Sequence, residues 1–227
     1  MNELSLFAGA GGGILASALL GMRTVCAVER DAYAASVLIA RQNDGTLPAF
    51  PIWDDVCTFD GRHWRGAVDI VSGGFPCQAY SSASRGRSVA DDLWPEMRRI
   101  VADVAPRLVF AENTQRRAID RAADDLEEMG YEVRCMQLSA SDLGADHIRS
   151  RYWLLAHADA HRELRLRLDA EMAQLSRIRP GVWQAGPDES RVADGMAHRM
   201  DRLEATGNGQ VPVVAVTAFL ALAQAFE

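Results

Sequence analysis

Four short segments carry side chains able to do chemistry. Cys77 lies in Gly73-Gly74-Phe75-Pro76-Cys77-Gln78, directly after the apolar run Val68-Ser72. A residue at the carboxyl end of a strand stands where open α/β sheets bind ligands, and Pro76 fixes the backbone beside it. As a thiolate Cys77 would be a nucleophile. The commonest role of a cysteine is instead burial in a core, a role that the neighbouring glycines and proline disfavour here.

Glu112 ends the run Leu108-Val109-Phe110-Ala111-Glu112-Asn113-Thr114, at what should be the same sheet edge. A carboxylate there can hold a polar substrate or move a proton. Taken alone it is more simply a helix cap or a solvated loop acid. Arg149 and Arg151, in His147-Ile148-Arg149-Ser150-Arg151, alternate, so an extended backbone sets both guanidinium groups on one face. They suit an anion or a polar substrate, and a surface ion pair is the alternative. Finally, Phe7-Ala8-Gly9-Ala10-Gly11-Gly12-Gly13 follows the first apolar run. Its glycines permit positive φ and a close approach of a ligand to the backbone. Gly11, Gly13 and Ala16 fit the loose GxGxxA form of a nucleotide-cofactor loop, with Glu29 about twenty residues on, placed for ribose hydroxyls. A tight packing turn fits the same glycines, and no GK[ST] follows to cradle phosphates.

The elements that must position these groups alternate along the chain. Strands are expected at Leu4-Phe7, Thr24-Val28, Val68-Ser72 and Leu108-Phe110, with helices near Ile14-Leu20, Ala32-Arg41 and Leu93-Val104. A helix at Arg116-Met129 then leads to strands at Glu132-Leu138 and Arg151-Leu155. Such alternation predicts a doubly wound, mostly parallel α/β sheet. The core should end near His157, giving a catalytic and cofactor-binding unit over 1–157. A polar, arginine-rich segment covers 158–193, and 194–227 returns to the core through a helix over Val211-Phe226 with Pro212 in its first turn. The apolar stretch Leu4-Leu20 reads as strand, loop and helix, because Glu3 precedes it and Gly11-Gly13 interrupt it, so neither a leader nor a membrane span is expected.

Composition narrows the partners. A chain of 227 residues with a formal charge of -7 is not a generally cationic nucleic-acid binder, so any contact with DNA must be local. All 24 basic residues are arginine, which suits bidentate contacts to phosphates and guanine and also suits a GC-rich coding sequence. Cys26, Cys57, Cys77 and Cys135 are scattered, without CxxC pairs or histidines at ligand spacing, which predicts reduced thiols, no metal and a cytoplasmic location.

In their order, the glycine loop, the acid after the second strand, the Pro-Cys-Gln turn, the Glu-Asn pair, the Arg-x-Arg strand and Gly207-Asn208-Gly209-Gln210-Val211-Pro212 resemble the DNA cytosine-5 methyltransferase family. The resemblance implies a Rossmann-like, S-adenosylmethionine-dependent fold. Phe7, Gly9, Gly11 and Gly12 would line the cofactor site, with Glu29 on the ribose, Asp55 near the adenine amino group, and Pro76 and Asn208 completing it. Cys77 would attack carbon 6 of cytosine, Glu112 would hold the exocyclic amine and ring nitrogen 3, and Arg151 and Arg149 would hold and position the base. The base must leave the duplex for this, so double-stranded DNA is the expected partner of a monomer. The segment 79–93 would close over it, with Gln78, Ser81, Arg85 and Arg87 touching DNA.

The chain departs from the family at Ser5, Thr114 and His147, where aspartate, valine and glutamine are usual, and none of these removes a reacting group. The larger departure is a target-recognition segment of only about forty residues, in which Arg162, Arg165, Arg167, Arg177 and Arg179 read bases or phosphates or form a solvated helix face. Three rivals remain: the same chemistry on RNA, a catalytically silent relative, and a nicotinamide-dependent oxidoreductase, which leaves the Pro-Cys-Gln and Glu-Asn turns unexplained.

Overall fold

The structure, a computed structural model, describes residues 1–76, 92–158 and 209–226. Its strands are β1 (Asn2–Leu6), β2 (Arg23–Val28), β3 (Ile52–Trp53), β4 (Ile70–Gly74), β5 (Leu108–Asn113), β6 (Glu132–Ser139) and β7 (Ser150–His157). The helices are α1 (Gly12–Leu19), α2 (Ala32–Asn43), α3 (Trp94–Val104), α4 (Arg116–Glu128) and α5 (Pro212–Gln224).

One sheet of seven strands has the order β3-β2-β1-β4-β5-β7-β6. The β1–β2, β2–β3, β1–β4 and β4–β5 pairs are parallel, whereas β7 runs antiparallel to β5 and β6. The sheet is therefore mostly parallel, as expected, with β7 reversed between β5 and β6. Successive strands step outward from β1 to β2 and β3, then return to β4 on its other side. That reversal makes the gap between the carboxyl ends of β1 and β4 a topological switch point, where open sheets bind ligands.

Hydrophobic periodicity explains the layers. In α3, Trp94, Met97, Ile100, Val101 and Val104 are buried, and α4 buries Ala118, Ile119, Ala122 and Leu126, each set along one helical stripe. These pack with Leu4, Leu6, Val71 and Val109 on one face of the sheet. The other face packs Ile70, Leu108, Phe110, Trp153 and Leu155 against α5, Ala16 and Leu20. Helix α5 is apolar on nearly every side, burying eight residues including Phe219, whose ring meets Phe110 edge-on. Such a helix must be covered all round, which is why the chain's end docks on the core.

Three sequence expectations shift. β3 has no counterpart among the expected strands, because two residues give no period to read. Phe7 leaves β1 and adopts φ 52, opening the glycine loop one residue early. β4 runs over Ile70–Gly74, two residues later than expected, and pairs with β1 as far as Gly73, where only glycine fits because a Cβ would stand 2.6 Å from the Leu6 carbonyl oxygen. Among the described residues no helix is long and apolar enough to cross a membrane.

Candidate active site

The glycine loop is held to the end of β2 by a carboxylate. Gly9 N–H donates to Glu29 Oε2 at 2.6 Å, and Asp31 N–H donates to Oε1 at 2.7 Å. Each oxygen keeps lone-pair capacity, so the residue that shapes the loop can still accept from a ligand. Gly9 has φ 55 with nothing within 4 Å of its notional Cβ, so the backbone there is open to a ligand. Gly11 and Gly12 are small for a different reason. A Cβ on Gly11, itself at φ 94, would meet Leu38 at 2.8 Å, and one on Gly12 would lie 2.1 Å from the Gln210 carbonyl oxygen. Both readings of the run thus hold, residue by residue: Gly9 is open, while Gly11 and Gly12 are packed.

Asp55 lies in the turn after β3, where the Cys57 backbone N–H donates to Oδ1 at 2.9 Å and holds the carboxyl below its ordinary range. Arg99 of α3 braces that turn, donating to the carbonyl oxygens of Val56 at 2.9 Å and Phe59 at 3.0 Å. Asp55, Glu29 and Gly9 therefore lie along the carboxyl edges of neighbouring strands β3, β2 and β1.

On the far side of the switch point, Phe75 packs on Trp94 with ring centroids 5.1 Å apart. Asn113 Nδ2 donates to the Phe75 carbonyl oxygen at 2.8 Å, tying the end of β5 to the turn that carries Pro76. Sequence reasoning saw Asn113 only as half of a motif, and this bond is its structural role.

Glu112 is neither a cap nor a solvated acid. It is 6% exposed and lies on β5 directly opposite Trp153 of β7. Arg151 Nε stands 2.7 Å from Glu112 Oε1, and both side chains are largely buried, so the surface-pair reading of this arginine fails. Arg149 reaches the same pocket and donates to the Gly209 carbonyl oxygen. Burial pushes the Glu112 carboxyl up, against the pull of Arg151, Arg149 and a hydrogen bond from Gln210. Burial, and then Arg151, weakens the hold of Arg149 on its proton. The pocket is lined by Glu112, Arg149, Arg151, Trp153, Gln210, Val211 and Val214. Of these, Trp153, Gln210, Val211 and Val214 were not among the expected site residues. Gln210 directly follows Gly207-Asn208-Gly209, and that position was the available signal.

The surroundings carry a charge gradient. Helix α4 begins just past Glu112 and places Arg116, Arg117 and Arg121 in its first half, where Arg116 pairs with Asp120 and Arg121 with Asp92, and puts Asp124, Asp125, Glu127 and Glu128 at its end. This order opposes the helix dipole at both termini and so costs stability, but it leaves a small excess of positive charge at the edge that holds Glu112. Cys77, Gln78, Ser81, Arg85, Arg87, Asn208 and the arginines at 162, 165, 167, 177 and 179 lie outside the described residues.

Residues 1–185 match the family model of the C-5 cytosine-specific DNA methylases. Type II methyltransferase M1.HphI of Haemophilus parahaemolyticus is 30% identical over 176 residues, which cover 70% of this chain and 46% of that protein. Type II methyltransferase M.PspPI of Psychrobacter sp. is 33% identical over 140 residues, covering 57% of this chain and 33% of that protein. The crystal structure of the S. pombe Dnmt2 methyltransferase shares the fold, with a TM-score of 0.54 at 22% identity over 69% of this chain and 49% of that one. The aligned part of this chain thus spans between a third and a half of these relatives. The match over residues 1–185, with the order of motifs along one α/β sheet, places the chain in the C-5 cytosine-specific DNA methylase family.

Proposed function

We propose that this chain transfers a methyl group from S-adenosylmethionine to carbon 5 of cytosine in double-stranded DNA, with Cys77 as the covalent nucleophile. The observation that carries the reading is the buried Glu112, flanked by Arg149 and Arg151, across the switch point from the open glycine at Gly9. The residues present fit the cofactor: Gly9 offers uncovered backbone, and Glu29 and Asp55 supply acceptors along the same edge for hydroxyl and amino groups. Phe7, Gly11, Gly12, Pro76 and Asn208 complete the proposed set. When bound, S-adenosylmethionine supplies an electrophilic methyl group.

Carbon 5 of cytosine is too weak a nucleophile to take that group unaided, so the protein must activate the ring. Cys77 thiolate adds to carbon 6, and Glu112 accepts from the exocyclic amine while meeting ring nitrogen 3, so electron density collects at carbon 5. A carboxyl whose pKa burial has raised is suited to holding a proton at nitrogen 3. Arg151 meets the carbonyl oxygen of the base, with Arg149 beside it. After methyl transfer a water molecule or hydroxide takes the carbon-5 proton, the thiolate is expelled from carbon 6, the proton at nitrogen 3 returns to Glu112, and the ring regains aromaticity.

Such access to both faces and edges of the ring requires a base turned out of the duplex. The segment 79–93, with Gln78, Ser81, Arg85 and Arg87, closes over it, and the arginine half of α4 meets the phosphates nearby. In this reading residues 1–157 form the catalytic and cofactor unit, 158–193 a reduced recognition segment, and 194–227 the return to the core.

The test incubates the protein with labelled S-adenosylmethionine and duplex DNA containing 5-fluorocytosine, whose fluorine cannot leave as a proton. A covalent complex that is absent in Cys77→Ala is expected. Methyl transfer to transfer RNA but not to any DNA would overturn the substrate, and neither adduct nor transfer would overturn the reaction.

A further inference from the structure

Gln210 touches both halves of the site. Its backbone carbonyl oxygen lies against Gly12, so close that a Cβ there would stand at 2.1 Å. Its side-chain Oε1 faces Gly13, where a Cβ would lie at 2.7 Å. The amide nitrogen turns the other way. A Cβ on Gly74 of β4 would meet both Glu112 Oε2, at 2.7 Å, and Gln210 Nε2, at 3.3 Å. Gln210 Nε2 and Glu112 Oε2 thus share that gap, with the amide nitrogen, which can only donate, on the carboxylate side. Three glycines, two opening α1 and one ending β4, are thus kept bare around one carboxamide, and any side chain at Gly12 would displace it.

We propose that Gln210 is a positioning residue, a carboxamide bridge that couples the glycine loop to Glu112 and fixes the carboxyl for its base. This role rests on the methyl-transfer reading above and goes beyond it. A loop drawn tight around its ligand presses on the Gln210 carbonyl and side chain, and the same side chain aims Glu112 Oε2. That leaves Oε1, which faces Arg151 Nε at 2.7 Å and keeps lone-pair capacity, as the acceptor for the exocyclic amine. The bridge supplies order of action: the carboxyl is correctly aimed once the loop is set.

Gln210→Met keeps the length and bulk of the side chain but cannot donate. The groups facing Glu112 are then Arg151 from β7 and Arg149 just before it. Losing the donor removes one pull toward the carboxylate, so the carboxyl must titrate at higher pH. Two measurements read this: carboxyl-carbon NMR titration of Glu112 in the protein alone, and kcat and KM for S-adenosylmethionine across pH. The expected result is a kcat lower by about tenfold, the loss of one hydrogen bond to a charged group, with KM for S-adenosylmethionine within about twofold. The Glu112 titration and the matching limb of the pH profile should move up together. An unmoved titration and limb would overturn the proposal, even with a loss of stability, because packing alone would then explain the contact. A wild type that transfers no methyl group would defeat the functional reading, while the NMR titration would still decide the Gln210–Glu112 link.

Discussion

Two glutamates on the same face of one sheet are buried to a similar degree and have opposite surroundings. Glu3, near the start of β1, is 0% exposed and accepts from Ser17 at 2.5 Å, Ser72 at 2.6 Å and Thr24 at 2.6 Å. Glu112, near the end of β5, is 6% exposed and faces two arginines and a carboxamide. Register places Glu3 level with Ile70 and Leu108, four residues before Glu112 and so about 13 Å along the strands. Burial raises both carboxyls, so an elevated pKa does not tell them apart. Their partners and positions do. Three neutral hydroxyls satisfy an acid inside the core and ask nothing of a ligand. Two guanidinium groups converging at the carboxyl edge keep a titratable group beside a pocket, at a cost in desolvation that a purely structural site would avoid.

That contrast can be broken from the structural side. Glu3→Ala leaves three buried hydroxyls without their acceptor, and should cost about 3 kcal/mol in urea unfolding while the folded fraction keeps its activity. A loss of activity with unchanged stability would make Glu3 a functional group instead. A smaller effect tests the charge gradient. Replacing Arg116 and Arg117 with alanine should weaken duplex DNA binding and lower the salt dependence by about one unit for each phosphate no longer neutralised, with cofactor binding unchanged. The smallest is a slope. Because the folded pKa of Glu3 is raised, its contribution to stability is fully present below its ordinary value of 4.5 and is lost as pH rises through the folded value. The unfolding midpoint of the wild type should therefore fall relative to that of Glu3→Gln as pH rises from 4.5, and parallel curves would mean that Glu3 does not titrate differently on folding.

The contrast also marks what the sequence made legible. Periodicity located β1, β2, β5 and the helices α3 and α4, because their stripes of apolar residues are long enough to repeat. It could not foresee β7 reversed between β5 and β6, since strand order depends on contacts far apart in the chain. The glycine loop and Glu29 were visible as residue types at a spacing. That Gly9 is open while Gly12 is filled by Gln210 was not, because the occupant arrives from the other end of the chain. Glu112 is the sharpest case. One carboxylate at the end of an apolar run looks like a cap, and only the pairing of β5 with β7 brings Arg151 to it. Glu3 gave no signal, as its three hydroxyl partners come from α1, β2 and β4.

The central claim is that position and charged partners, not burial, make Glu112 the working acid. The most direct measurement is labelled methyl transfer to cytosine in duplex DNA by the wild type, Glu112→Gln and Glu3→Gln under the same conditions, with folding checked by circular dichroism. Transfer should fall by about a hundredfold or more in Glu112→Gln, the loss expected for one group that stabilises the transition state, and stay near wild type in Glu3→Gln. A folded Glu112→Gln that transfers methyl groups at the wild-type rate would contradict the account.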